Sequence, residues 1–464
     1  MERSKSTHPY IPNSGTSAGQ EMLAALKIDD VEELFVEIPR ELRFVGPLDL
    51  PPPYVAESDL VDHVQSLLNR NSTTRENLSF LGAGCYSHHV PAVCDEINGR
   101  AEFLTAYAGE TYEDHGKFQA LFEYCSMMGE LLEMDVVTVP TYDGFQASAT
   151  ALRVAGRVTG RRKILILGPV NPDKLEKMCD YARPALDIIV LEPSGPQGAA
   201  SLEEIRRQLD DQVAAVYIDV PNYFGVIEPE LAVIAELTHE IGAVFIVGCD
   251  PISLGVLAPP SSYGADIVCG DIQSLGLHLQ FGGGHGGFLA THDDLDFVME
   301  LPSRLIGLAP TTVPGELGFT DIAYERTSLA SREAGNEWVG TAAALWGITA
   351  GSYLALMGPQ GMFDLGETVL ARTRYAMDVI GRLPGLSIPF ESGCHFREFV
   401  VTLEKPGMTI KDLNEALLAQ GIFGGKDLSF EYPGLNQSAL FCVTETTKMA
   451  DIDRLGTALE GALK

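Results

Sequence analysis

From about residue 135, short apolar runs alternate with amphipathic helical windows, and this alternation narrows the fold more than any other feature of the chain. The candidate strands are Lys163–Leu167, Ile188–Leu191, Ala214–Val220, Ala243–Gly248 and Asp266–Cys269. Between the third and the fourth lies Pro229–Ile241, whose Leu231, Ile234, Leu237 and Ile241 recur at helical spacing. Apolar strands separated by helices imply a mostly parallel, twisted sheet covered on both faces, because parallel neighbours need a long crossover. The expected class is therefore α/β.

The ends of the chain read differently. After about residue 345 a long helical window runs into Leu356, and two strands, Glu398–Leu403 and Ala439–Thr444, are each followed by a helix. That pattern predicts a smaller C-terminal α+β domain. The first 75 or so residues carry a brief amphipathic run, Val31–Ile38, and the proline-rich stretch Pro47–Pro53, which disfavours both helix and sheet. Apolar residues on both sides of the prolines predict a packed arm at a subunit interface. The expected organisation is an N-terminal arm with interface helices (1–78), a large α/β domain (79–345) and a small domain (346–464).

Composition excludes several functions. With 64 acidic against 32 basic residues the net charge is −32, and such a field repels nucleic acid and anionic membrane surfaces. No run of about 18 apolar residues is free of charge, so no membrane span is expected. Met1–Asn13 has no apolar core and does not read as a secretory signal, which leaves a cytoplasmic protein as the expectation. The eight cysteines form no C-x-x-C pair and the ten histidines no H-E-x-x-H, so neither a disulfide framework nor a metal site is expected.

Three places carry chemistry. Val247-Gly248-Cys249-Asp250-Pro251 reads as a strand ending on an acid, and parallel sheets bind ligands at the carboxyl ends of their strands. In pyridoxal-phosphate enzymes an Asp so placed pairs with the pyridinium nitrogen; the same residue can equally cap the following turn. The second place is the run Phe281-Gly282-Gly283-Gly284-His285-Gly286-Gly287, where backbone amides could approach a phosphate or simply form a flexible loop. More telling is an absence: none of the 227 residues between Lys177 and Lys405 is a lysine. A sheet of this kind then has no Schiff-base lysine in the usual place after Asp250. The third place is an aromatic and polar cluster, Phe103–Tyr107 through Tyr112 to Gln119, with Thr141-Tyr142-Asp143-Gly144. Tyrosines in such loops orient substrates or sit in the core with a satisfied hydroxyl.

Taken together these segments resemble the P-protein of the glycine cleavage system, its N-terminal half or separate first subunit. The resemblance runs along nearly the whole chain. It includes His8–Pro12, Phe80-Leu81-Gly82-Ala83-Gly84 with Ser87–Pro91, Thr105-Ala106-Tyr107, Tyr142-Asp143-Gly144, Asp250–Gly255, Tyr263–Val268, Gln273–Gly276, Phe281-Gly282-Gly283 and Tyr353–Pro359. It implies a fold like that of aspartate aminotransferase, the type I pyridoxal-phosphate fold. It also implies an α₂β₂ assembly with a lysine-bearing second subunit that holds the pyridoxal phosphate. The implied reaction decarboxylates glycine and passes its aminomethyl group to a lipoylated carrier, the H-protein. By the same resemblance Tyr107, Tyr112 and Tyr142 are the candidate catalytic residues, the Tyr107 loop reaching the partner's site. Asp250 marks a vestigial cofactor position, and the chain is expected to be inactive alone.

The departures from the family pattern fall in segments expected near the active site. The usual Ala-Thr after Tyr142-Asp143-Gly144 is Phe145-Gln146. The usual Arg-Glu-Lys-Ala-Thr-Ser-Asn run has become Arg332-Glu333-Ala334-Gly335-Asn336-Glu337-Trp338. A pocket reshaped for another small amino acid or acceptor explains these changes, and so does drift in a subunit without chemistry of its own. The alternative function is accordingly a catalytically silent structural or regulatory pseudo-subunit.

Overall fold

The structure is a computed structural model and describes residues 10, 15–44, 46, 48–104, 115–193, 197–322, 326–335, 337–340 and 342–464. Contacts divide it into two units, Met1–Asn71 and Ser72–Lys464. The first holds α1 (Thr16–Leu26), α2 (Glu57–Leu68) and two 3₁₀ turns, the earlier of which carries a capping box in which Asp30 and Glu33 satisfy each other's backbone N–H. None of its described side chains is buried.

The second unit opens with a short strand, β1 (Leu78–Ser79), then α3 (Ala92–Asn98), α4 (Ala101–Leu104) and α5 (Phe118–Leu132). The main sheet follows, interleaved with helices: β2 (Val136–Val137), α6 (Gly144–Thr159), β3 (Lys163–Leu167), α7 (Pro172–Ala182), β4 (Asp187–Leu191), α8 (Leu202–Gln208), β5 (Val213–Val220), α9 (Leu231–Glu240), β6 (Val244–Cys249), β7 (Ile267–Asp271) and β8 (Gly287–Thr291). Seven strands lie in the order β2-β8-β7-β6-β5-β3-β4. β3 to β7 pair in parallel, and β8 is antiparallel to both neighbours. The five strands expected from sequence are all present, with ends shifted by two residues at most. β8 was not expected: its five residues follow a glycine run and carry no alternating pattern.

Side chains of β5 and β6 are buried on both faces, which is why these strands read as continuous apolar runs. One face packs with Tyr124, Met128 and the start of a long helix; the other packs with α6 and α7. The helices are started by their own sequences. Asp143 accepts the N–H of Gln146 to cap α6, and Asn171, followed by Pro172, accepts the N–H groups of Asp173 and Lys174 to cap α7. After α10 (Leu295–Val298) a hairpin of β9 (Ile306–Pro310) and β10 (Leu317–Asp321) stands apart from the sheet.

Next comes α11 (Ala344–Gly381), two helical segments meeting at Gly358, whose φ of 59° and ψ of −179° leave the helix before Pro359. The sequence reading ended this helix at Leu356; Pro359 has no N–H to donate, so the first segment stops there and a second begins. A four-stranded antiparallel sheet closes the chain, ordered β11 (Leu386–Ser387), β12 (Glu398–Leu403), β15 (Ser438–Cys442), β14 (Lys426–Asp427), and covered by α12 (Ile410–Leu418) and α13 (Met449–Leu463). β13 (Ile422–Phe423) pairs in parallel with β1, and the adjoining Phe80 is buried among the side chains of this C-terminal region. No helix among the described residues is long and apolar enough to cross a membrane.

Candidate functional site

A cavity of about 330 Å³ opens at the carboxyl ends of β5, β6 and β7. Strands that run parallel splay into loops at that edge, which leaves room for side chains to converge. Asp219 comes from the end of β5, Asp250 from the residue after β6 and Asp271 from the end of β7. The first turns of α6 and α7 add Gly144 and Lys174, and the C-terminal region adds Arg397 and Glu398. Gly248 keeps the floor clear, since a Cβ there would collide with Asp219 and Tyr217.

Asp250 lies in this cavity, and it also caps the turn that follows. Its Oδ1 accepts the N–H of Ile252 at 3.0 Å, and its Oδ2 lies 2.8 Å from Nη2 of Arg397. Arg397 carried no signal in the sequence and is the best-buried charge among the described residues, 1% exposed. Its Nη1 donates to Nε2 of His88 at 3.0 Å, so the His88 proton sits on Nδ1, 2.7 Å from Glu445. Burial works against the Glu445 carboxylate, but hydrogen bonds from the His88 ring and the His89 N–H hold it down at about 2. The guanidinium stacks on Tyr86, 4.1 Å from the ring centroid. Next to it Glu398 accepts the Ala83 N–H at 2.6 Å and the Tyr86 hydroxyl at 2.9 Å. Burial pushes the Glu398 carboxyl up to about 7 in spite of these bonds.

The other end of the cavity is the amino terminus of α6. Asp143 Oδ1 accepts the Gln146 N–H at 2.7 Å while its Oδ2 pairs with Lys177 at 2.8 Å. Asp271 accepts the Gly144 N–H at 2.8 Å and the Gln273 N–H at 2.8 Å, and its Oδ2 is 3.1 Å from His285. Hydrogen bonds with Asp271 and Cys85 raise the His285 imidazole to about 10, so it is a cation at neutral pH. From the glycine run, Gly282 and His285 line the cavity, while Phe281 is fully exposed.

These residues do not fit pyridoxal phosphate. A helix amino terminus is the natural seat for a phosphate, but here carboxylates already hold the Gly144 and Gln146 amides. A dianion entering would face Asp143 and Asp271 at contact distance. No lysine lies between β7 and Lys405. One lysine does reach the cavity, from just before the lysine-free stretch: Lys174, whose Nζ is 2.7 Å from Asp219 and 5.4 Å from the Tyr217 ring centroid. Its amine is taken up by the Asp219 carboxylate.

Of the tyrosines singled out in the sequence, Tyr142 is half exposed beside the α6 amino terminus, and its backbone N–H donates to Gln146 Oε1. It does not line the cavity, whereas its neighbours Asp143 and Phe145 do. Tyr107 and Tyr112 lie outside the described residues. Trp338 is away from the cavity and partly exposed; the preceding Glu337 anchors the segment to Arg157, Thr150 and Tyr181.

Comparison with known proteins agrees with this architecture. The glycine cleavage system P-protein family matches residues 8–459. The chain belongs to that family. A probable glycine dehydrogenase (decarboxylating) subunit 1 of Geobacillus kaustophilus is 36% identical over 448 residues, covering 96% of this chain and 97% of its own. The protein of the same name from Staphylothermus marinus is 36% identical over 458 residues, 97% of each chain. Among solved structures, a glycine decarboxylase (P-protein) of the glycine cleavage system in inhibitor-bound form aligns over the whole of both chains with TM-score 0.85 and 32% identity. A sphingosine-1-phosphate lyase of Burkholderia pseudomallei shares the fold alone, with TM-score 0.65 and 15% identity over 92% of this chain and 94% of its own. The P-protein fold seen here is the type I, aspartate-aminotransferase-like arrangement expected from the sequence.

Proposed function

We infer that this P-protein chain works as the lysine-free subunit of a two-subunit glycine decarboxylase, the aminomethyl-transferring enzyme of glycine cleavage. The observation that carries the reading is the cavity itself: it sits where the fold places a cofactor, yet its helix amino terminus is capped by carboxylates and no lysine lies between β7 and Lys405. Pyridoxal phosphate then belongs to a lysine-bearing partner subunit in an α₂β₂ assembly. When bound there it supplies the electron sink for loss of the carboxyl group. The acceptor is a lipoylated, H-protein-like carrier, and the compartment is the cytoplasm.

This chain's own part is to complete the partner's pocket. Tyr142 is half exposed at the α6 amino terminus, open to a second chain, and we assign Tyr107 and Tyr112 the same role in the partner's pocket. Their hydroxyls would orient the substrate and hold a proton near the carboxyl group that leaves. Asp250 has become a structural partner of Arg397. The arm and interface helices (1–78), large domain (79–345) and small domain (346–464) give the assembly its parts. The changed residue Phe145, which lines the cavity, favours a close variant acting on another small amino acid or acceptor. The charge-paired α6 end favours the second reading, a silent pseudo-subunit that only supports its partner.

Exchange of labelled bicarbonate into the glycine carboxyl group tests these readings, using this chain with its lysine-bearing partner and a lipoylated carrier. Exchange that disappears when either subunit is left out supports the reading. Exchange by the partner without this chain would sink it. A Tyr107→Phe change that lowers kcat by ten-fold or more without preventing assembly separates the working loop from the silent subunit.

A further inference from the structure

The cavity is a built site for a different ligand from the one the fold would suggest. Arg397 is 1% exposed, and among the described residues its Nε has no hydrogen-bond acceptor at all. Its Nη2 touches Asp250 at 2.8 Å, but off the axis a hydrogen bond needs, so that contact is ionic and the N–H is still open. A buried guanidinium with donors left unmet is costly and uncommon. The backbone of Arg397 is left-handed as well, with φ 67°, a conformation non-glycine residues adopt at some cost. The Tyr86 ring covers one face of the guanidinium, and its unmet edge is buried in the cavity wall, where a ligand would have to reach it.

What that edge would bind follows from its neighbour. Arg397 and Asp250 present a positive and a negative group side by side on one wall. An isolated carboxylate drawn to Arg397 meets Asp250 and Glu398 as well, and an isolated ammonium drawn to Asp250 meets Arg397. A molecule with a carboxylate and an ammonium on adjacent atoms matches both groups at once. The remaining charged walls, Asp219 with Lys174, Asp271 with His285 and Asp143 with Lys177, are each already paired. A cavity of about 330 Å³ is at the small end of ligand sites and suits a small polar molecule.

We propose that this cavity binds a free α-amino-acid zwitterion, its carboxylate on the open edge of Arg397 and its ammonium on Asp250. The bound amino acid satisfies the buried guanidinium and draws the C-terminal region, which carries Arg397, against the end of β6, which carries Asp250. A subunit without the cofactor thereby gains a site that reads the concentration of an amino acid. The proposal rests on the reading that the cofactor sits in the partner subunit.

The test is isothermal titration calorimetry of the purified chain with glycine, alanine and serine, and with acetate and methylamine as the two halves of the zwitterion. Visible absorbance of the same sample reports any bound pyridoxal phosphate, so failure of the underlying reading shows separately. The expected result is one-to-one binding of at least one amino acid at millimolar concentration or below, with each half at least ten-fold weaker. Arg397→Gln and Asp250→Asn should each weaken it ten-fold or more. Should Arg397→Gln fail to fold, Asp250→Asn decides alone, because that carboxylate is more exposed and sits at the cavity wall. No binding of any of the three amino acids, equal binding of acetate, or binding indifferent to Asp250→Asn would overturn the proposal.

Discussion

The two ends of the cavity have been settled in different ways. At the α6 end, Asp143 and Asp271 hold backbone amides and are in turn held by Lys177 and His285. At the β6 end, Arg397 faces Asp250 and His88 but keeps N–H groups that meet no acceptor among the described residues. A protein that had merely lost a cofactor would be expected to let both ends relax alike. Closing one and leaving the other open indicates that the second is kept for something, because unmet buried donors cost stability that repacking would recover.

The largest effect that would test this contrast is at Arg397. Replacing it with Gln leaves Asp250 and Glu398 near each other without their cation, and should cost about 3–5 kcal/mol in chemical denaturation. A cost below about 1 kcal/mol would mean the β6 end is as self-sufficient as the α6 end.

Glu398 comes next, through pH. Its carboxyl is raised to about 7 in the folded chain, so the folded state holds the proton more tightly than the unfolded one. Its contribution is therefore fully present below the ordinary glutamate range and is lost as pH rises through about 7, by up to about 3 kcal/mol. Glu398→Gln should remove that decline. Denaturation midpoints of the two proteins from pH 5 to 8 should diverge as pH rises, and parallel curves would refute the assignment.

At the closed end, Asp271→Asn weakens a helix-capping bond and takes the charge from beside His285, with an expected loss of about 1–2 kcal/mol. Because His285 is raised to about 10, its contribution is complete below its ordinary range near neutrality and is lost as pH rises through about 10. That alkaline loss should be much reduced in the variant, as read by melting temperature between pH 7 and 10. The smallest effect is expected from Lys177→Ala. The pair with Asp143 is well exposed, and about 0.5 kcal/mol is the most it should contribute. A larger loss would mean the α6 clamp depends on its outer cation.

The contrast also marks what a reader of the sequence could see. The parallel strands were legible because β5 and β6 are apolar on both faces, and Asp250 because it stands at the end of one of them. The lysine gap was legible as a plain absence. Arg397 and Glu398 were not, since they meet Asp250 and Ala83 across 147 and 315 residues of chain and follow no motif. Lys174 was passed over for a similar reason: only the capped turn at Asn171 brings it beneath Asp219. Trp338 stood out as a departure from the family pattern, but its place beside Glu337, away from the cavity, is set by contacts with α6 and α7 that no local pattern encodes.

The pairing of β1 with β13 limits how the protein can be taken apart. Leu78 and Ser79 run alongside Ile422 and Phe423, and Phe80 fills a place in the C-terminal core from the far side of the sequence. A fragment beginning near residue 346 would be missing one of its own aromatic plugs and one edge of a strand pair. Expressed by itself it should be insoluble or loosely packed, and a synthetic peptide spanning residues 76–82, added in trans, should restore a cooperative melt. Cloning boundaries for the C-terminal region are thus better drawn by spatial neighbours than by position along the gene.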